Sequence, residues 1–317
     1  MRNPENTVGE LLSPLLSQPS SRLAIFWMGI RPKTLSISLA PVFLGCALAF
    51  WRQGVFVGWV LGVSLVAALF IQAATNLLND AGDGESGTDT PDRLGPPRVV
   101  ALGWASASQV KAWAYVLMLA AFALGVPLVG RGGWPIVGLG LASLVAGWAY
   151  PHGPYPISRS PLGEVFVCLF FGLGAVGGTY YLQTLSLSSP ALLLGAIQGA
   201  LAAAVIVVNN TRDRDGDQKA GRKTLAVLGG RLFCGWEYGA LLLLPCLAAA
   251  LWAFSRDLAW AAWGALACGF WSLGLVRRFF RAQSGGEFNG LLAATAQFQL
   301  VFGILISLGI MGSWIFK

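Results

Sequence analysis

Nine apolar runs, each near the length of a bilayer-spanning helix, occupy most of this chain. They lie near 35–51, 55–78, 109–129, 133–150, 161–184, 190–210, 231–254, 257–276 and 292–315. A spanning helix needs about 20 mainly apolar residues, so the runs predict a polytopic, all-α membrane protein with nine transmembrane helices. Composition agrees, because only 11% of the 317 residues are charged, against roughly 25% in a soluble domain. The 41 glycines and 13 tryptophans also fit, since Gly is frequent in spanning helices and Trp gathers at membrane interfaces. Membrane lipid is therefore the expected surrounding. Residues 1–22 are polar and lack the apolar core of a signal peptide. They read as an N-terminal cytoplasmic tail before a membrane domain over 23–317. Within that tail Val8, Leu11, Leu12, Leu15 and Leu16 have the spacing of a short interfacial helix, interrupted by Pro14.

The net charge of +7 does not call for nucleic acid, because the basic residues sit in short loops between spans. With the N-terminus inside, 17 of the 21 Lys and Arg residues fall on the inner side. The positive-inside rule then places the N-terminus in the cytoplasm of a cytoplasmic (inner) membrane, and an odd number of spans puts the C-terminus outside. The five cysteines show no paired or metal-ligand spacing and read as inert buried thiols.

Charge is concentrated in two islands on the inner side, Asp80–Ser108 and Asn209–Gly230, which hold 8 of the 14 acidic residues. At the first, Asn76, Asn79, Asp80 and Asp83 close an apolar run. At the second, Asn209, Asp213 and Asp217 follow at four-residue spacing, which puts all three on one face if the helix continues. Carboxylates at two helix ends can share Mg²⁺, an ion that takes oxygen ligands, usually one or two carboxylates completed by waters and substrate phosphate. Asp80, Asp83, Asp213 and Asp217 are the candidate catalytic carboxylates on this reading. The same islands carry Arg93, Arg98, Arg212, Lys219, Arg222 and Lys223, which suit an anionic diphosphate. A metal with basic side chains around a diphosphate stabilises its departure. The plainer alternative is that these charges cap helices and keep the loops hydrated. Duplication of the N-x-x-x-D pattern with interleaved basic residues favours the site.

Several single residues carry two readings. Glu164 begins a span, where an ionisable group marks a functional position or simply complements the helix dipole. Lys33 is a substrate-binding candidate or a topological anchor. Gly172, Gly174, Gly177 and Gly178 leave room for a long substrate or allow close helix packing. Tyr180, Tyr181 and Gln183 fall at the far end of that span and read as interface anchors. His152 is the only histidine, so no histidine-based metal site or dyad is available.

NLLNDAGDGESGTDTPDRLGPPR (Asn76–Arg98) and NNTRDRDGDQKAGRKTLAVLGG (Asn209–Gly230) resemble the two signature motifs of the UbiA-type membrane prenyltransferases. The stretches Arg31–Gly45, Leu162–Thr184 and Phe288–Gly303 are similar as well, and the version of the first motif, with Gly87-x-Asp89, resembles the branch that prenylates 1,4-dihydroxy-2-naphthoate. The resemblance implies a nine-helix bundle around a central cavity open to the inner face and laterally to lipid. It implies Mg²⁺ and a polyprenyl diphosphate held by two clusters, Asn76, Asp80, Asp83 and Asp89 in one and Asn209, Asp213 and Asp217 in the other. Ring attack on the allylic cation, with loss of CO₂, then leads to demethylmenaquinone. Competing readings are prenylation of 4-hydroxybenzoate or homogentisate, a phytyl donor and, from another class, a cation transporter.

Overall fold

In a computed structural model of the chain, residues 19, 21–86, 94, 95, 98–153 and 155–315 are described. The candidate interfacial helix of the tail, Asp89 and Arg93 lie outside them. Every regular element is helical: α1 (Arg22–Gly29), α2 (Pro32–Gln53), α3 (Gly58–Glu85), α4 (Ala107–Gly132), α5 (Trp134–Ala149), α6 (Gly163–Thr184), α7 (Ser189–Lys219), α8 (Leu225–Phe254), α9 (Ala259–Arg281) and α10 (Gly285–Ile315). Helix starts follow local chemistry. Ser106 and Gln109 form a reciprocal capping box at α4, while the Ser188 and Thr224 hydroxyls accept from Ala191 and Val227 amides to open α7 and α8. Gly54, at φ 66°, closes α2 in the left-handed conformation that glycine adopts without strain.

Eight of these helices are long and apolar enough to cross a membrane. The run at 133–150 departs from the expected ninth span, because α5 holds only 16 residues. Gly133, at φ 65°, breaks the chain on one side and Pro151 follows Tyr150 on the other, so both ends are cut short. A second difference concerns α3 and α7. Both continue well past their apolar runs, to Glu85 and Lys219, so the first part of each expected inner loop is helix. Propagating an existing helix adds a hydrogen bond for each residue fixed, and the charged side chains at these ends find partners.

The helices pack in sequence, α3 on α4, α7 on α8, α8 on α9 and α9 on α10, while α10 returns to α2 and α6 lies on α7. The central helix α7 is the most enclosed, with Leu194, Leu201, Ala204 and Val208 fully buried. Some polar groups inside the bundle are paired across helices. The Gln198 amide donates to the Gln299 carbonyl and the Gln299 amide to the Ile37 carbonyl, which joins α7, α10 and α2. Outward faces are apolar, with Leu119, Trp236 and Phe270 exposed, as a lipid-facing surface requires.

Gly172 and Gly178 of α6 are packing residues. A Cβ on Gly172 would fall 2.4 Å from the Gly195 carbonyl oxygen and 2.6 Å from Gly199 Cα, and one on Gly178 would fall 2.4 Å from Leu139. At the same end of the bundle, Tyr180 and Gln183 are buried, which corrects their reading as interface anchors. Gln183 Oε1 accepts from the Val57 amide at 2.6 Å, and Arg131 donates to the Gln183 carbonyl at 2.8 Å. These bonds close the end of the bundle away from the acidic islands.

Candidate active site

The ends of α3 and α7 meet, although the residues that join them are 139 positions apart. Arg222, just past the α7 C-terminus, donates to Asp83 Oδ1 at 2.6 Å and pairs with Asp217 at 3.2 Å. One guanidinium thus spans the two acidic motifs. Asp83 also pairs with Arg98 at 2.6 Å and lies 3.7 Å from Arg159. Arg98 in turn donates to the main-chain carbonyl of Asn79 at 2.6 Å. Three guanidinium groups therefore converge on a single buried carboxylate, an excess of positive charge suited to a polyanion.

The second motif supplies its own network. Arg212 is buried and grips both oxygens of Asp213, at 2.8 and 2.6 Å. It also donates to Asn209 Oδ1 at 2.9 Å and Asn289 Oδ1 at 2.8 Å, and the Asn289 amide donates to the Leu94 carbonyl. Asn289 so ties α10 to the C-terminal part of the first motif. It lies within a stretch that carries the family resemblance, yet its amide gave no charge signal. Arg159 was legible only as a basic residue of the inner loop. The main-chain bond from Lys223 to the Arg159 carbonyl, at 2.9 Å, fixes that loop against the second motif.

Not every predicted site residue joins this cluster. The two Asp80 oxygens accept from the Val99 and Val100 amides, at 3.1 and 3.0 Å, so this buried carboxylate anchors the loop after α3. Asn76 donates to the Ile30 carbonyl at 2.9 Å and to Thr34 Oγ1 at 3.4 Å, holding the turn before α2. Lys33, Lys219 and Lys223 have exposed side chains. Glu164 is buried at the start of α6, where Asn210 donates to its Oε1 at 2.9 Å. In the inner loop, burial holds the His152 imidazole below its ordinary range, with Lys111 contributing in the same direction. Burial, and then the Glu164 charge, push the Tyr150 hydroxyl upward.

The donor set suits a hard divalent cation. Asp83 and Asp217 flank one guanidinium, with Asn209 and Asp213 further back along α7, and Mg²⁺ needs only one or two carboxylates among its oxygen ligands. Among the described residues no three Asp, Glu, His or Cys side chains gather into an ion-binding group, so phosphate and water oxygens would complete the octahedron. At the opposite half of the bundle, Phe43, Ala47 and Phe50 of α2, Phe56, and Ile304 and Leu308 of α10 border an apolar cavity of about 270 Å³.

Residues 38–291 match the UbiA prenyltransferase family. The chain belongs to that family. It is 36% identical to the 1,4-dihydroxy-2-naphthoate octaprenyltransferase of Haemophilus influenzae over 306 residues, covering 92% of this chain and 97% of the relative. The fold is that of a UbiA homolog from Aeropyrum pernix, with a TM-score of 0.68 at 17% identity over 89% of this chain and 98% of the other. A UbiA homolog from Archaeoglobus fulgidus, solved with DMAPP and Mg²⁺, aligns with a TM-score of 0.61 at 13% identity over 89% and 99% of the two chains. This UbiA-family chain is a multi-pass membrane protein, and its acidic motifs lie together at one end of the bundle.

Proposed function

We propose that this protein transfers a polyprenyl group from polyprenyl diphosphate to 1,4-dihydroxy-2-naphthoate, with loss of CO₂ and diphosphate. Likeness to a 1,4-dihydroxy-2-naphthoate octaprenyltransferase along nearly the whole of both chains carries the choice of substrates. The site geometry supports the same reaction. Arg98, Arg159 and Arg222 bind the diphosphate and stabilise the charge it gains as the allylic C–O bond breaks. Asp83 and Asp217, with Asp213 and Asn209 behind them, hold Mg²⁺, and Asp89 and Arg93 of the first motif contribute to the same function. The bound ion supplies further charge neutralisation to the leaving diphosphate. Asp80 serves this site by fixing the loop that carries Arg98.

The apolar cavity between α2 and α10 supports a long isoprenoid tail, which is as apolar as lipid and favours burial away from water. The short α5 crosses as well, at roughly 24 Å for 16 residues. It begins next to the outer end of α4 and ends at Tyr150, in the loop that carries Arg159. Nine crossings around a central cavity result, with the acidic end and the N-terminus in the cytoplasm of the inner membrane.

Membranes containing the protein, incubated with Mg²⁺, a prenyl diphosphate and a panel of aromatic acids, test the proposal by product mass. Prenylated and decarboxylated naphthalenediol is the expected product. Transfer to 4-hydroxybenzoate or homogentisate alone would replace the acceptor, and preference for phytyl diphosphate would replace the donor. Cation flux without diphosphate release would point to transport.

A further inference from the structure

Glu164 is the buried acid that the diphosphate site leaves unused. Its side chain is 6% exposed, one oxygen accepts from Asn210, and the other, Oε2, is buried with no hydrogen-bond partner among the described residues. A buried carboxylate oxygen left unpaired is strongly unfavourable, so a donor is missing from this position. The amide of Glu164 itself also approaches the carboxylate, but no other described side chain donates to Oε2. The Tyr150 hydroxyl lies beside Gly163, where an added Cβ would come within 3.6 Å of it. Tyr150, Cys234 and Glu237 feel the Glu164 charge without bonding to it.

Depth identifies what the donor belongs to. Asn210 precedes Asp213 by three residues and Asp217 by seven on one continuous helix. The Glu164–Asn210 pair therefore sits about 4.5 to 10.5 Å deeper in the bundle than the two carboxylates. The reacting carbon of a prenyl diphosphate is one oxygen removed from phosphorus, so a ring attacking it has to lie at this depth.

Resting on the prenyl-transfer reading, we propose that Glu164, steadied by Asn210, accepts a hydrogen bond from a ring hydroxyl of the aromatic acceptor and thereby selects the ring carbon that meets the donor. Like charge drives the carboxylate of such an acceptor away from Glu164 and toward Arg98, Arg159 and Arg222. The hydroxyl end is held at one pole and the carboxylate end at the other. Glu164 is thus an acceptor-binding residue that sets specificity, in the class of hydroxylated aromatic acids.

Glu164→Gln and Glu164→Asp test this with 1,4-dihydroxy-2-naphthoate and its two mono-methyl ethers. A second readout is equilibrium binding of the acceptor, followed by fluorescence titration without metal or donor. Losing a hydrogen bond to a charged group should lower kcat/KM of Glu164→Gln for the diol acid about 10- to 100-fold. Acceptor binding should weaken in parallel, and the donor KM should stay within about twofold. The ether blocked at the contacting hydroxyl should be equally poor with wild type and variant, and Glu164→Asp should recover part of the loss. Wild-type behaviour of Glu164→Gln with the diol acid would overturn the proposal. So would equal losses with the diol acid and both ethers, which is the mark of a purely structural role. Should wild type transfer to no hydroxyarene, the underlying reading fails instead, and the binding titration still judges Glu164.

Discussion

Asp80 and Asp83 lie within one turn of α3 but occupy different environments, and a matched pair of substitutions separates their roles. Asp83→Asn keeps the shape and removes the charge between Arg98 and Arg222. The Arg98 and Asp83 side chains are 4% and 5% exposed, and breaking such a buried pair from one side costs roughly 3–5 kcal/mol. Arg222 keeps Asp217, and Arg98 keeps the Asn79 carbonyl, so the lower end, about 3 kcal/mol, is expected. Asp80→Asn retains one acceptor for the Val99 and Val100 amides and orphans the other, at about 1–3 kcal/mol. Both variants should therefore unfold at lower temperature in detergent. Their responses to metal should diverge. With Asp83→Asn the Mg²⁺ concentration for half-maximal prenyl transfer should rise about tenfold or more, since even supporting partners of metal ligands affect affinity by roughly 10- to 100-fold. With Asp80→Asn it should stay within about twofold, as expected of a loop anchor without a metal contact. The assay is a magnesium titration of transfer by purified protein, paired with thermal unfolding of each variant. A changed magnesium dependence for Asp80→Asn alongside an unchanged one for Asp83→Asn would refute the assignment.

Gly172→Ala should destabilise the α6–α7 contact by about 1–3 kcal/mol, because the added methyl meets the backbone of Gly195 and Gly199. Thermal unfolding measures it, and an unchanged midpoint would mean the two helices can separate without cost. For His152, folding depresses the imidazole pKa below its ordinary 6.5, so the unfolded chain binds the proton first. Its stabilising contribution is complete above that value and declines as pH falls below it. The groups facing it are Lys111, Glu85, Arg159 and Asp83. His152→Gln should flatten the acid limb of a midpoint-against-pH curve, and identical limbs in both proteins would rule the residue out as its source.

Much of the fold was legible because hydrocarbon admits few solutions. A run such as 190–210 can only be a helix there, and the limits of α6 were readable to within two residues. At α5 the helix is shorter than the apolar run at 133–150, because backbone conformation at Gly133 and Pro151, not hydropathy, sets its ends. The persistence of α3 and α7 beyond their apolar runs was likewise hidden. Those last turns are held by tertiary ion pairs, such as Asp83 with Arg98, that no local pattern encodes.

The chain alone therefore determined its solvent, its helical content, the residue types of a diphosphate and metal site, and the family those motifs resemble. Spacing along one helix could not tell which carboxylates share a ligand. Asp80 and Asp83 look equivalent in the sequence, yet one faces backbone amides and the other faces three arginines. Only packing decided that, because a side chain's chemistry is fixed by the groups brought within a few ångströms of it. Those groups come from between 15 and 139 residues away along the chain.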